Sequence, residues 1–287
     1  GKAARVLSQV TGWRARTVHS ALGRTPDDDF LAPVEWLQLG LIVIDESSML
    51  SLELLAGILS RMPDDCRCVL VGDPGQLQAV GAGNVLLDLR TLNVPGAMLK
   101  TQYRQRNRTS ALTYNVHAFA QICTGQELRF DESFRFISCG EDEIVDAMCC
   151  AAKKYWDASE DVQMLAATKD IVQRLNLTMQ AICNPRSKSK LEYGTFREGD
   201  QVMILKNIPL KSCCNGDVGI LHFENDLFGN PCISVVRRNG GVSTFTYQEA
   251  RTMLTLAYAS TIHKAQGSQA EHIIIYCGRN GVPLIKR

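Results

Sequence analysis

LIVIDESSML, residues 41–50, decides how this chain is read. Four apolar residues in succession, three of them β-branched and none alternating with a polar one, predict a strand buried on both faces. Such strands belong to largely parallel sheets. Runs of the same kind recur at 66–72 (CRCVLVG), 134–139 (FRFISC), 162–168 (VQMLAAT) and 272–277 (HIIIYC). Between them the apolar spacing becomes helical: Leu54, Leu55, Ile58, Leu59 and Met62 form one stripe, and Val145, Met148, Cys149, Ala152 and Tyr155 another. Strands alternating with helices predict an α/β, doubly wound architecture.

The chain has 287 residues, a length that fits about two domains. With 45% hydrophobic and 21% charged residues its composition is that of a globular protein and excludes disordered or collagen-like classes. Thirty-one Lys plus Arg against 30 Asp plus Glu leave a net charge of +1, so any nucleic-acid surface must be local. No run approaches the roughly 18 apolar residues of a membrane span, and the opening residues lack a signal pattern; the expected address is cytoplasmic. The eleven cysteines include no Cys-x-x-Cys pair. Several sit inside apolar runs, where a reduced thiol packs as a small hydrophobe.

From about 194 to 250 the rhythm changes. GTFREGDQVMILKN, NGDVGILHF and PCISVVRRNGGVSTFTY are short strand-like segments separated by Gly, Asn and Asp, without helical period. They predict a small antiparallel barrel, and because strand and helix patterns resume near 251, the barrel is expected to be an insertion in the second α/β unit.

The chemistry begins where the 41–50 strand ends. Asp45 and Glu46 lie side by side at its C-terminal end, where α/β sheets bind ligands. Two carboxylates there suit a Mg-bound nucleoside triphosphate, one holding the metal and the other orienting or deprotonating water. Taken alone, the pair fits equally well as a solvated helix start. The second strand adds GDPGQLQAVGAG (72–83), whose Gln76 is an uncharged group able to sense a γ-phosphate; Pro74-Gly75 by itself is simply a turn. KTQYRQRNR (100–108) holds four basic residues and no acid, and Arg104 there could stabilise phosphoryl-transfer charge. A solvated basic face accounts for Arg106 and Arg108.

DESSM, GDPGQLQAVGAG, YRQ and YASTIHKAQGS (258–268) occur in the order seen in superfamily 1 DNA helicases, and the chain resembles their RecD-like group. GKAARVLSQVTG followed by ARTVHSALG looks like that family's motif Ia, and REGDQVMILKN with CCNGDVGIL looks like its SH3-like insertion. The resemblance implies two RecA-like parallel-sheet domains, the first incomplete, with a small SH3-like β-barrel inserted. The implied division is 1–107 for the first domain, 108–193 and 251–287 for the second, and 194–250 for the barrel.

It further implies ATP and Mg2+ as cofactors, with Asp45 as the metal ligand, Glu46 as catalytic base, and Gln76 and Arg104 at the γ-phosphate. Gln266, Gly267 and Ser268 would lie nearer the nucleotide. Lys2, Thr17, His19, Thr261, His263 and Lys264 would lie along single-stranded DNA; for His263 a packing role stays open, and Thr17 and His19 rest on position alone. The implied activity is 5′ to 3′ DNA unwinding in recombination or repair, alone or with other subunits of an exonuclease or repair complex. The helicase part of a conjugative relaxase and a non-catalytic DNA-binding paralogue are the rival readings.

Three features depart from the family pattern. No Gly-x-x-x-x-Gly-Lys-Ser/Thr occurs, no Thr-Arg-Ala-like sixth motif follows HIIIYC, and Gln269 stands where the family carries glutamate. Because both end motifs are absent while the middle is intact, the sequence is expected to be a fragment of an active enzyme that does not itself turn over ATP.

Overall fold

A computed structural model describes residues 2–23, 39–79, 81–99, 109–120, 127–186, 192–226, 228–238 and 240–278. In chain order the elements are α1 (Lys2–Thr11), α2 (Val18–Ala21), β1 (Leu41–Ile44), α3 (Leu52–Leu59), β2 (Arg67–Leu70), α4 (Val85–Thr91), α5 (Ala111–Ala120) and α6 (Ile144–Asp157). There follow β3 (Val162–Ala166), α7 (Lys169–Cys183), β4 (Glu192–Tyr193), β5 (Phe196–Arg197), β6 (Gln201–Ile204), β7 (Val218–Asn225), β8 (Pro231–Arg237) and β9 (Val242–Thr246). The last are α8 (Tyr247–Met253), β10 (Leu254–Leu256), β11 (Ala259–Thr261), α9 (Ile262–Ala265) and β12 (His272–Ile275). The chain divides into two compact units, residues 16–138 and residues 1–15 with 139–287.

In the 16–138 unit β1 and β2 pair in parallel, Leu41 opposite Arg67 and Ile44 opposite Leu70. Ser51 starts α3 by accepting the Leu54 N–H on its hydroxyl, and the helix lays Leu55 and Ile58 against Ile44, Leu50, Val85 and Leu22. The opposite face of the sheet departs from the expected two-sided burial: Leu41 and Val43 are each 54% exposed, and Val69 and Val71 are exposed as well. Strand character survives because one face is packed and the parallel ladder satisfies the backbone. FRFISC departs further. Residues 135–140 form no strand, and Phe136 and Ile137 are exposed, with the only pairing nearby an isolated bridge between Asp131 and Phe134. Asp131 is occupied instead with α5: one carboxylate oxygen accepts the Ala111 N–H at 2.7 Å and the other the Ser133 N–H and hydroxyl.

In the other unit β3 is the centre of a parallel sheet, flanked by β11 and β12. α6 and α7 pack on it through Cys149, Ala152, Leu175 and Met179, and burial pushes the Cys149 thiol up to about 12. The same apolar cluster runs on into a five-stranded antiparallel sheet of order β10-β6-β7-β8-β9, through Ile204, Leu221, Ile233 and Phe245. Among the described residues β9 and β10 are its two edges, so the sheet is open rather than the closed barrel expected from the turn-rich pattern. Antiparallel pairing also continues past residue 250, since β10 runs against β6.

A buried carboxylate joins the two sheets. Asp200, with no exposed surface, accepts hydrogen bonds from Gln180 Nε2, Asn184 Nδ2, the Arg197 N–H and the Tyr258 hydroxyl. Four donors on one carboxylate offset the cost of burying its charge. Burial, and then the Asp200 charge, raise the Tyr258 pKa far above the ordinary phenol value.

Candidate functional site

Asp45 and Glu46 follow directly on β1. The Asp45 carboxylate is exposed and its Oδ1 accepts the Glu46 N–H at 2.9 Å. Glu46 has φ 51° and ψ 41°, the left-handed region that a residue with a Cβ rarely enters, at a cost of about 1–3 kcal/mol. The turn is locked behind it. The Ser47 hydroxyl donates to the Ile44 carbonyl at 2.7 Å and the Ser47 N–H to the Val71 carbonyl at 2.9 Å, while the Val71 N–H returns to Ile44. The ends of β1 and β2 are thereby stitched together.

Gly72 shows how tightly. A Cβ there would meet the Ser47 and Ser48 backbone nitrogens at 3.0 Å and Leu86 Cδ1 at 2.7 Å, so any larger residue would require Leu86 and the turn to shift. Next, Asp73 Oδ1 accepts the Gly75 N–H and its carbonyl the Gln76 N–H, a turn that leaves Gln76 exposed.

Among the described residues Asp45 Oδ2 and the whole Glu46 carboxylate have no hydrogen-bond or ion-pair partner, and the buried Ser48 hydroxyl has none either. Hard oxygen donors left uncommitted at a strand's C-terminal end fit a hydrated divalent cation. The residues that would cradle a triphosphate, a glycine loop with lysine, occur nowhere in the sequence.

Thr17 caps α2 by accepting the Ser20 N–H, and His19 is exposed on that helix. Both lie in the 16–138 unit with Asp45, Glu46 and Gln76. Arg104 lies outside the described residues. Lys2 begins α1, which belongs to the other unit, where Arg5 on α1 pairs with the buried Asp217 at 2.9 Å.

In that second unit the strand-turn after Tyr258 carries the remaining candidates. Asn176 of α7, itself buried, clamps Ala259 from both sides, donating to its carbonyl and accepting its N–H. Thr261 then caps α9 by accepting the Lys264 N–H at 3.3 Å. His263 and Lys264 are exposed, and partial burial followed by the nearby Lys169 ammonium lowers the Lys264 pKa. Gly267 takes φ 73°, turning the chain after Gln266 so that the Ser268 hydroxyl donates to the Ala265 carbonyl, with Gln163 Oε1 3.4 Å from the same oxygen. Gln163 in turn donates to Ser260, which ties the turn to β3.

Thr261, His263, Lys264, Gln266, Gly267 and Ser268 thus come from one short stretch. A cleft of about 620 Å³ opens beside Thr261 and Lys264 and is also lined by Lys169, Tyr193 and Arg251. Lys169 carries a signal that sequence reading passed over, since it stands just beyond the C-terminal end of a strand; Arg251 carries none.

A family model described as an AAA domain matches residues 1–142. The ATP-dependent RecD2 DNA helicase of Deinococcus radiodurans is 29% identical over 292 residues, covering 100% of this chain and 39% of that protein. The RecBCD enzyme subunit RecD of Mycolicibacterium smegmatis is 29% identical over 289 residues, 93% of this chain and 50% of its own length. The chain therefore spans half or less of these relatives. Among solved structures, a Pif1 helicase from Bacteroides in complex with ADP-AlF3 and ssDNA superposes with a TM-score of 0.59 at 19% identity, over 92% of this chain and 73% of that one. The likeness establishes a helicase-type RecA-like α/β fold. No helix among the described residues is long and apolar enough to cross a membrane.

Proposed function

Because this chain belongs to the RecD-like superfamily 1 DNA helicases, we propose that it forms the motor core of an ATP-dependent enzyme that moves 5′ to 3′ along single-stranded DNA in the cytoplasm, in recombination or repair. The observation that carries this reading is the stitched turn at the ends of β1 and β2. It presents three uncommitted carboxylate oxygens, Asp45 Oδ2 and both of Glu46, beside the close approach at Gly72 and the loop that bears Gln76. Asp45 would hold Mg2+, Glu46 would orient and deprotonate water, and Gln76 and Arg104 would answer to the γ-phosphate. Mg-ATP, when bound, supplies the phosphoryl group transferred to that water.

On the other unit Thr261, His263 and Lys264 would follow the DNA backbone, as would Lys2; in the 16–138 unit Thr17 and His19 of the motif Ia region would do the same, and Gln266, Gly267 and Ser268 are assigned to the nucleotide by the resemblance alone. The five-stranded antiparallel sheet is read as an SH3-like insertion between the fourth and fifth motifs, extended past residue 250 by α8 and β10. The RecD name of its relatives supports partnership with other subunits of a repair complex. Without a phosphate loop the 287 residues alone are expected not to turn over ATP, since positioning is most of the catalysis in phosphoryl transfer.

The reading is tested by fluorescence anisotropy of this chain with two unrelated single-stranded oligonucleotides of equal length across a salt series. Equal affinities that fall steeply with salt are expected. Sequence discrimination, or an affinity indifferent to salt, overturns it.

A further inference from the structure

Asn176, Gln180 and Asn184 stand four residues apart along α7 and its end, so their side chains share one stripe of the helix. A helix that had only to pack would carry apolar residues there. Instead Asn176 and Gln180 are 5% and 2% exposed, and all three amides are engaged with the chain opposite. Asn184 Nδ2 donates to the Glu198 carbonyl at 2.9 Å and to Asp200 at 2.8 Å, and Gln180 Nε2 donates to the Thr195 carbonyl at 2.8 Å and to the same carboxylate. The segment that leads through β5 into the antiparallel sheet is thereby tied to the second half of α7.

The connection continues to the parallel sheet. Asp200 also accepts the Tyr258 hydroxyl at 3.0 Å. The next residue, Ala259, donates its N–H to Asn176 Oδ1 at 2.9 Å and accepts at its carbonyl from Asn176 Nδ2 at 3.2 Å. β11 pairs with β3 on one side, Ala259 opposite Met164, and among the described residues no strand lies on the other. There the Asn176 amide stands in for a strand, one donor and one acceptor meeting the backbone of a single residue. Apolar contacts let a strand slide, whereas this pair fits one register. A slip of one residue would turn Thr261 to the opposite face of β11, away from the Lys264 N–H it caps, and would break the bond from Gln163 to Ser260.

We propose that Asn176 and Tyr258, with Asp200 behind them, are positioning residues that fix the register of β11, and so the place of Thr261 and Lys264, without contacting DNA themselves. Both polar atoms of Asn176 are already engaged by Ala259, and the Tyr258 hydroxyl by Asp200. The antiparallel sheet thereby takes part in DNA binding through a carboxylate that no strand can reach, since Asp200 has no exposed surface. The inference rests on the single-strand reading of Lys264 above and adds to it buried groups that act through that residue.

The test is anisotropy of the 287-residue chain with a fluorescent oligothymidine over a salt series, each variant held below the melting transition that circular dichroism gives for it. Lys264→Gln sets the reference, a loss of about 0.7 in salt slope for one phosphate contact on a single strand. Asn176→Leu keeps the branched shape and removes the clamp; it should weaken binding by about threefold to tenfold and lower the slope as Lys264→Gln does. Tyr258→Phe removes only the hydroxyl and leaves the ring beside Trp156, and a loss of about twofold is expected. Lys154→Gln, which removes an exposed lysine from α6, should change neither quantity. The deciding readout is the double variants: in the Lys264→Gln background neither Asn176→Leu nor Tyr258→Phe should weaken binding further, because both act through Lys264. Losses that add in full would mean a general loosening of the fold and would overturn the positioning role. Wild-type affinity and slope in both single variants, with Lys264→Gln weakened, would overturn it while leaving the single-strand reading intact. Wild-type affinity in Lys264→Gln would remove Lys264 from the strand's path and the positioning role with it. Absence of any binding by the unmodified chain would overturn both readings.

Discussion

The two parallel sheets start from the same kind of sequence and end differently. β3, VQMLA, is flanked by a strand on each side and leaves Met164 only 1% exposed, whereas β1, LIVI, has one strand beside it among the described residues and leaves Val43 54% exposed. Both runs are continuously apolar, so composition along a strand states what burial it can tolerate, and neighbours decide what burial it gets. The carboxylates differ in the same way. Asp200 and Asp131 each accept hydrogen bonds from several donors, but one is enclosed between two sheets and the other sits in solvent at the start of α5.

Removing the enclosed carboxylate should cost the most stability. Asp200→Ala leaves Gln180, Asn184, the Arg197 N–H and Tyr258 without their acceptor, and by the cost of orphaning buried polar partners it should destabilise its unit by about 3–5 kcal/mol in urea unfolding. A loss below about 1 kcal/mol would mean that water replaces the carboxylate and that the two sheets are not joined there.

A matched pair of apolar truncations comes next. Met164→Ala on β3 should cost about 2–5 kcal/mol, as cavity formation in a packed core does, while Val43→Ala on β1 should stay within about 0.5 kcal/mol, as exposed substitutions do. Equal losses would show that the outward face of β1 is covered in solution.

Smallest is the effect of acid. Hydrogen bonds from the Ala111 N–H and then the Ser133 hydroxyl hold the Asp131 carboxyl down at about 2, below its ordinary value. A depressed acid stabilises the fold above its unfolded pKa, and that contribution disappears as pH falls through the folded one. The difference in melting temperature between the wild type and Asp131→Asn should therefore be constant above about pH 5 and shrink between about pH 4 and 2. A difference that persists unchanged at pH 2 would remove the charge from the capping of α5.

What the sequence made legible follows from the reach of each signal. LIVI, VQMLA and HIII are local apolar runs where β1, β3 and β12 stand, and β2 takes Arg67–Leu70 from within CRCVLVG. The stripe from Val145 to Tyr155 likewise becomes α6. FRFISC carries the same local signal but finds no ladder, because pairing requires a neighbour that composition does not name. The open antiparallel sheet has the same origin: turn residues announced its hairpins, while closure depends on whether β9 and β10 meet.

Among the candidate residues, Asp45, Glu46, Gln76 and the Thr261–Lys264 turn could be singled out in the sequence because each lies within a short string. The left-handed backbone of Glu46 was not, since no residue type there demands it. Nor was Arg251, which lies 58 residues from Tyr193 in the chain and 13 from Lys264 and reaches the cleft only through the fold.

On the proposed reading the turn holding Asp45 and Glu46 would be the hydrolytic centre of a DNA-dependent motor. Its role is tested most directly by phosphate release from Mg-ATP, with and without single-stranded DNA, in a protein that joins a strand–loop–helix unit bearing Gly-x-x-x-x-Gly-Lys-Thr to residue 1, compared with its Glu46→Gln form and with residues 1–287 alone. The account predicts DNA-stimulated release in the joined protein, a fall of about 10²–10⁴-fold in Glu46→Gln with nucleotide still bound, and no stimulated release from the 287 residues. Stimulated release that survives unchanged in Glu46→Gln would contradict it.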